Sequence, residues 1–259
     1  ILLMNNYSEK FEKMRKAGSL AASTLDMIID YIKPGLSTNK IDELCYEFIK
    51  DNGGYCAPLY YRGFNKSICT SLNHVVCHGI PSKRVLEDGD ILNIDVTAIL
   101  HNHYGDTSRM FTVGKPSVKS MNLINVTYES LMKSIKILKP GKKLGDIGYE
   151  IQTHVEKAGF SVVRDFCGHG IGDVFHQGPN VLHYGEKNTG PELLPGMTFT
   201  IEPMINAGNY EVKILNDGWT AVTKDRALSA QFEHTVGITD NGYEIFTESV
   251  KNLKRPPYN

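Results

Sequence analysis

The sequence predicts a mixed α/β chain, of the α+β kind, built from two related halves. Helix-spaced segments precede strand-like alternating segments twice, in the same order. The two runs also superimpose without gaps over their helical parts. Over 259 residues, 41% hydrophobic and 22% charged side chains provide enough apolar material for a large core.

Residues 8–32 read as a helix, with Ser8 as its cap and Phe11, Met14, Ala17, Ala21, Leu25 and Ile28 at helical spacing. Pro34-Gly35 breaks it. Ser37 or Thr38 caps a second helix through Lys50, stopped by Gly53-Gly54. Segments 90–100 and 104–113 alternate as strands. The order then recurs: a helix over 120–138, a break at Pro140-Gly141, a helix over 144–158 and a stop at Gly159. At an offset of 106, Lys33-Pro34-Gly35 falls on Lys139-Pro140-Gly141, Ile41 on Ile147 and Gly53 on Gly159. Asp88 to Asp95 loosely parallels Pro195 to Glu202, so each half carries a carboxylate after a buried-looking strand that follows a glycine turn. So long a period is not that of a solenoid. One domain, 1–259, is expected, with halves at about 8–115 and 116–248 and a basic tail, 249–259, read as solvated.

A net charge of -1 excludes a global field favouring nucleic acid or an anionic membrane. The apolar run Ile1 to Met4 is too short for a signal-peptide core. Nothing later approaches the roughly 18 apolar residues of a membrane span. Ile1 is not methionine, which leaves the natural start open. Cys45, Cys56, Cys69, Cys77 and Cys167 are odd in number and lack CxxC spacing, so a reduced, cytoplasmic protein is expected.

Asp95, Asp106, His169, Glu202 and Glu233 stand in the short contexts NIDVT, YGDTSR, GHGIG, TIEP and QFEHT. Singly, each has a plain explanation: a solvated turn aspartate, a strand-end glutamate, a structural histidine. Converging, they would form an anionic hole that persists only if cations fill it. Two divalent ions would balance four carboxylates and leave room for a hydroxide, which points to metal-assisted hydrolysis. A turn centred between Leu100 and His101 would place Asp95 directly opposite Asp106, with Cβ atoms roughly 4.5–5.5 Å apart. Asn93, Asp95 and Thr97 share one strand face, and Leu92, Ile94 and Val96 the other. Glu202 closes a strand over 197–201 before Pro203. Glu233 alternates with Gln231 and Thr235 on another strand, opposite Phe232 and Val236. His169 lies between Gly168 and Gly170, where a ligand can approach closely. A carboxylate-rich set without cysteine suits manganese, iron, cobalt or zinc.

With these contexts, Tyr61 to Cys69 (YRGFNKSIC) and Asn73 to Pro81 (NHVVCHGIP) make the chain resemble the type I methionine aminopeptidases over about residues 8–248. The resemblance implies a pseudo-twofold pita-bread fold, a central antiparallel sheet flanked by helices. It also implies removal of the initiator methionine from nascent polypeptides when the second residue is small. Asp95 would hold one metal, His169 and Glu202 the other, and Asp106 and Glu233 would bridge both. Water or hydroxide between the metals would be the nucleophile, and Glu202 the base that deprotonates it. His78 would contact the scissile amide nitrogen, and His176 would steady the carbonyl oxygen.

By the same resemblance, Tyr61, Phe64, Cys69, Phe175 and Trp219 would form the methionine pocket, beside His78 and His176. Taken bare, these aromatics read as core packing. The carbonyls of Asn73 and Val75, with Ser229, correspond to a monovalent-cation site for sodium or potassium. Arg62 stands where histidine or asparagine is usual, and Asn65 where proline is common. The long helical insertion of the type II enzymes is missing between His169 and Glu202, and no zinc-finger extension precedes Ser8, as in the short bacterial-style form. A cytoplasmic monomer is implied, acting on nascent chains with transient ribosome contact and no DNA or membrane. Competing readings are an X-Pro peptidase, which usually carries a large N-terminal domain, and a metal-free peptide-binding module, which loses ligands. A dinucleotide loop at Gly168–Gly172 lacks the GxGxxG form.

Overall fold

The structure is a computed structural model that describes residues 7–258; the run Ile1 to Met4 and the last tail residue lie outside the described residues. The chain opens with helices α1 (Ser8–Ile28) and α2 (Thr38–Asp51). Strands β1 (Tyr55–Cys56), β2 (Cys69–Leu72), β3 (Val75–Cys77), β4 (Ile91–Leu100) and β5 (His103–Thr112) follow. Helices α3 (Val118–Lys136) and α4 (Leu144–Lys157) then precede β6 (Ser161–Val162), β7 (Gly168–Gly170), β8 (Gln177–Val181), β9 (Thr198–Ile201) and β10 (Met204–Asn206). The chain finishes with β11 (Val212–Ile214), β12 (Ala221–Thr223), β13 (Ser229–Gln231), β14 (His234–Ile238) and β15 (Tyr243–Ile245). This mixed α/β fold, with antiparallel sheets flanked by helices, is the class the sequence predicts.

Helix α1 is preceded by Tyr7, which makes no capping side-chain bond; Ser8 is already helical, so it is not the cap. The predicted span to residue 32 ends instead in a 3-10 turn over Ile29–Tyr31. Ser37 does cap α2, its Oγ accepting from the Lys40 N–H at 3.2 Å. Helices α1 and α2 bury Leu25, Ile28, Ile41 and Ile49 against Ile94, Val96 and Phe111 of the β4–β5 sheet. Helices α3 and α4 bury Leu123, Ile135, Ile147 and Ile151 against Phe199, Ile201 and Val236. Each fully buried aliphatic side chain contributes roughly 2 kcal/mol. On β4 the alternation sends Ile94, Val96 and Ala98 into the core under α1 and α2, leaving Asn93, Asp95 and Thr97 for the opposite face.

Strands β4 and β5 pair along their whole length, but not in the predicted register. Leu100 pairs with His103, so Asp95 faces Ser108 and Asp106 faces Thr97. His101 and Asn102 form the turn with φ of 50° and 56°, the signature of a two-residue type I′ hairpin. Asp95 and Asp106 are therefore diagonal, not opposite, neighbours. The slip is two residues, so both still project from the same face.

Strands β9 and β10 run beside β14 and β13. Ile201 pairs with His234, and Met204 with Gln231. One register spans both ladders and is interrupted at Glu202-Pro203 and Phe232-Glu233, so Glu202 falls opposite Glu233 across the break. Glu233 is thus not within a continuous strand. It forms an isolated bridge to Ser108, its N–H donating to the Ser108 carbonyl at 3.1 Å. Thr107 Oγ1 donates to the Glu233 carbonyl at 2.7 Å, and Thr235 Oγ1 to the Asp106 carbonyl at 2.7 Å. These bonds join the β4–β5 sheet to β14.

The tail is exposed at Lys251, Asn252, Lys254 and Pro257 but packs towards its end. Pro256 is buried, and the Tyr258 hydroxyl donates to the Met110 carbonyl at 2.7 Å. Among the described residues no helix is long and apolar enough to cross a membrane, and the five cysteines are free.

Candidate metal centre

The two diagonal aspartates, the two opposed glutamates and His169 on β7 all face one cavity of about 510 Å³. Ligand atoms of Asp106, His169 and Glu233 lie within 4.8 Å of one another. His169 Nε2 is 3.6 Å from Asp106 Oδ2 and 3.7 Å from Glu202 Oε1. His169 Nδ1 donates to the Gly170 carbonyl at 3.1 Å, which leaves Nε2 free to face a cation.

The glycines flanking His169 serve strand packing rather than ligand approach. A β-carbon at Gly168 would overlap the Thr200 carbonyl, and one at Gly170 the Gly178 carbonyl. Thr200 then acts twice, its Oγ1 accepting from the His169 N–H at 3.0 Å and donating to Glu202 Oε1 at 2.7 Å. Gln231 Nε2 reaches Glu202 Oε2 at 3.4 Å. The Glu202 N–H donates to His183 Nε2 at 3.1 Å. Thr97 Oγ1 donates to Asp106 Oδ1 at 2.7 Å.

The electrostatics of the cluster call for cations. Burial, then the charges of Asp106 and Glu202, push the Asp95 carboxyl well above its ordinary range. Burial and the same two neighbours do the same to Glu233, with a further contribution from Asp95. Burial raises Glu202 to about 7 against the opposing charge of His169. Burial would lower His169, but its bond to Asp106 and the charge of Glu202 outweigh it and hold the imidazole at about 9. Asp95 Oδ1 is buried without a hydrogen-bond partner. An orphaned carboxylate oxygen beside three more carboxylates and an imidazole fits hard or borderline divalent ions. Burial raises the thiols of Cys69, Cys77 and Cys167, which also line the cavity.

Two ring clusters wall the cavity. Tyr61 meets Phe175 edge-on at 4.9 Å, and Phe175 lies 3.9 Å from His176. Phe64 meets Trp219 at 5.2 Å, and His78 meets Trp219 at 6.2 Å and Phe166 at 5.3 Å. Cys69 lines the same space from β2, paired with Asp95. Every pocket residue named from the sequence thus faces one cavity with all five candidate ligands.

The family profile of Metallopeptidase family M24 matches residues 12–240. A methionine aminopeptidase of Rickettsia prowazekii is 58% identical over 254 residues, covering 97% of this chain and 98% of the relative. The chain belongs to the methionine aminopeptidases of family M24. An Escherichia coli (strain K12) methionine aminopeptidase is 54% identical over 92% of this chain and 91% of its own. The crystal structure of the Rickettsia prowazekii methionine aminopeptidase superimposes with a TM-score of 0.92, covering 92% of this chain and 97% of that one. The fold extends to the Pyrococcus furiosus prolidase, at a TM-score of 0.74 and 22% identity, of which this chain covers 64%. Membership makes this M24 protein a hydrolase of the metallo-exopeptidase kind, with the pita-bread fold.

Within that M24 frame, several residues at the site were not singled out from the sequence. Thr97 and Thr200 were legible in principle, each two residues from a candidate ligand on the same strand face, but His183 carried no local signal. Phe166 and Met204 also line the cavity. Asn73 and Ser229 meet away from the cavity lining, the Ser229 N–H donating to the Asn73 carbonyl at 2.9 Å. Val75 lies on β3, paired with Val222.

Proposed function

We propose that this enzyme removes the N-terminal methionine of peptides whose second residue is small, with two divalent ions held by Asp95, Asp106, His169, Glu202 and Glu233. The observation that carries the proposal is the joining, in one cavity, of this carboxylate cluster and a wall of rings and sulfur suited to a thioether side chain. In the proposed assignment Asp106 and Glu233, at the seam between the sheets, would help hold both ions, Asp95 one of them and His169 and Glu202 the other. When bound, the ions would supply Lewis acidity, polarising the scissile carbonyl and making water acidic enough to attack near neutral pH.

Glu202 holds and passes on the proton of the attacking water through Oε1 or Oε2, steadied by Thr200 and Gln231. His176 is suited to the developing negative charge on the carbonyl oxygen. Burial and the charge of His169 lower its pKa to about 4, so the ring is neutral. The Tyr61 hydroxyl lies 3.0 Å from Nδ1, and as its donor it would leave the ring proton on Nε2, free to donate to the carbonyl oxygen. His78, kept neutral by burial, takes the scissile amide nitrogen. Tyr61, Phe64, Cys69, Phe175 and Trp219 enclose the methionine side chain. The Asn73 and Val75 carbonyls with Ser229 would hold a sodium or potassium ion. The natural substrates on this reading are nascent chains.

Steady-state hydrolysis of Met-Ala-Ser, Met-Leu-Ser and Ala-Pro-Ser by enzyme supplied with manganese or cobalt tests the proposal. Cleavage of the first well above the other two is expected. Preferential cleavage of Ala-Pro-Ser would favour the X-Pro reading, and tight binding of Met-Ala-Ser without turnover under any metal would favour a peptide-binding module.

A further inference from the structure

Six aspartate, glutamate, arginine and lysine side chains line the cavity: four are the candidate ligand carboxylates, and the others are Arg62 and Asp165. Two divalent ions would balance the first four, leaving Arg62 and Asp165 as the fixed charges that a bound chain meets. They do not neutralise each other. The Arg62 guanidinium lies over Tyr61, 5.3 Å from its ring centre. Asp165 lines the cavity beside Phe166, a member of the other ring cluster. Among the described residues, Arg62 has no carboxylate partner.

The loop around Arg62 sets its direction. Its backbone is left-handed, φ 47° and ψ 33°, and so is that of Tyr60, at φ 67°. A residue with a β-carbon avoids that region unless its surroundings impose it. Here the Tyr60 N–H donates to the Phe64 carbonyl at 2.7 Å and the Phe64 N–H to the Tyr61 carbonyl at 2.9 Å, while the Phe64 side chain is buried. The loop is closed on itself and anchored, and Arg62 is exposed at its tip.

A polypeptide whose first side chain occupies the pocket must leave through the cavity mouth. Arg62 stacks on Tyr61, which touches His176, so its guanidinium stands at the cavity mouth on the side of the scissile bond assigned to the carbonyl oxygen. A guanidinium presents a planar fork of donors that matches a carboxylate. We propose that Arg62 is a specificity-determining residue that favours substrates with an acidic side chain in the first few positions after the scissile bond. Without it, the mouth would carry only the charge of Asp165 and would disfavour such chains. This inference rests on the aminopeptidase reading above.

The test compares kcat/KM for two C-terminally amidated peptides, Met-Ala-Glu-Ser and Met-Ala-Gln-Ser. Metal-loaded wild type, Arg62→Gln and Arg62→Lys are assayed at low and moderate salt. The readout is the ratio of the two peptides rather than either rate. Arg62→Gln is expected to lower the Glu/Gln ratio roughly threefold, as for an exposed ion pair, and added salt is expected to narrow the gap. Arg62→Lys is expected to keep most of the wild-type ratio. An unchanged ratio in Arg62→Gln, or an equal loss on both peptides, would overturn the inference, the latter by showing that Arg62 only supports the loop. If wild type cleaves neither peptide, the aminopeptidase reading itself falls.

Discussion

In the β4–β5 hairpin the two aspartates sit inside an unbroken ladder, whereas in the β9–β10 and β13–β14 strands the two glutamates sit where the ladder breaks. An unbroken ladder fixes each β-carbon, and a short aspartate can reach no further, so register alone dictates its place. A glutamate has one more methylene and stands at a bend, so it needs holding from outside. Thr200, Gln231 and the bond to His183 do that for Glu202. Ser108 and Thr107 hold the Glu233 backbone. Yet each pair leaves one member bare. Asp106 has Thr97 and Glu202 has Thr200, while Asp95 and Glu233 carry no side-chain hydrogen bond among the described residues. Burial and neighbouring charge raise both bare members well above the ordinary carboxylate range, and with no hydrogen bond to hold them they depend most on a cation.

The largest expected effect separates the members of the hairpin. Asp106→Asn should weaken binding of both ions and lower kcat/KM by orders of magnitude. Asp95→Asn should cost one ion and leave the other. Elemental analysis and a metal titration of the two variants decide this, and identical ion counts would remove the distinction between a shared and a terminal ligand.

Next is the pH response of metal-stripped protein. Asp95, Glu202 and Glu233 hold protons above the ordinary carboxylate range, and His169 stays charged to about 9. Above the ordinary histidine range the folded form therefore binds more protons than the unfolded chain, and its stability falls as pH rises; below that range His78, His176, His183 and His234, held neutral by burial, act in the opposite direction. The contribution of Glu202 is lost through about pH 7 and that of His169 through about pH 9. Thermal unfolding of stripped protein between about pH 7 and 9 should show this decline, and metal-loaded protein should not. A stripped protein equally stable across that range would mean the cluster is not strained without cations.

The smallest effect compares the two tethers. Thr97→Val and Thr200→Val should each weaken metal affinity about tenfold, the scale of groups that orient ligands. Thr200→Val should be the worse of the two, because Thr200 also binds the His169 backbone. Negligible losses would show that the ladder alone positions Asp106 and that the bend alone positions Glu202, and equal losses would show that the bond of Thr200 to the His169 backbone adds nothing.

The helices and the candidate ligands were legible because their signals are local. The apolar stripe of α1 recurs at helical spacing, and a carboxylate facing away from Leu92, Ile94 and Val96 stands out in a strand. The hairpin register was not legible, because its turn is His101-Asn102 rather than a strong Asn-Gly signal. Side-chain alternation nevertheless kept Asp95 and Asp106 on one face. Gln231 to Val236 reads as one strand because period two continues through Phe232-Glu233, and the interruption accompanies the bridge to Ser108, more than a hundred residues away. The docking of Tyr258 on Met110 and the contact of His183 with Glu202 are likewise long-range and leave no mark on nearby sequence.

The central claim is that the five converging side chains hold divalent ions that drive removal of an N-terminal methionine. The most direct test is the hydrolysis of Met-Ala-Ser by enzyme stripped exhaustively with a chelator, assayed before and after manganese or cobalt is restored. Activity should vanish on stripping and return as metal is added, levelling off near two ions per chain. Full activity in the stripped enzyme would contradict the account.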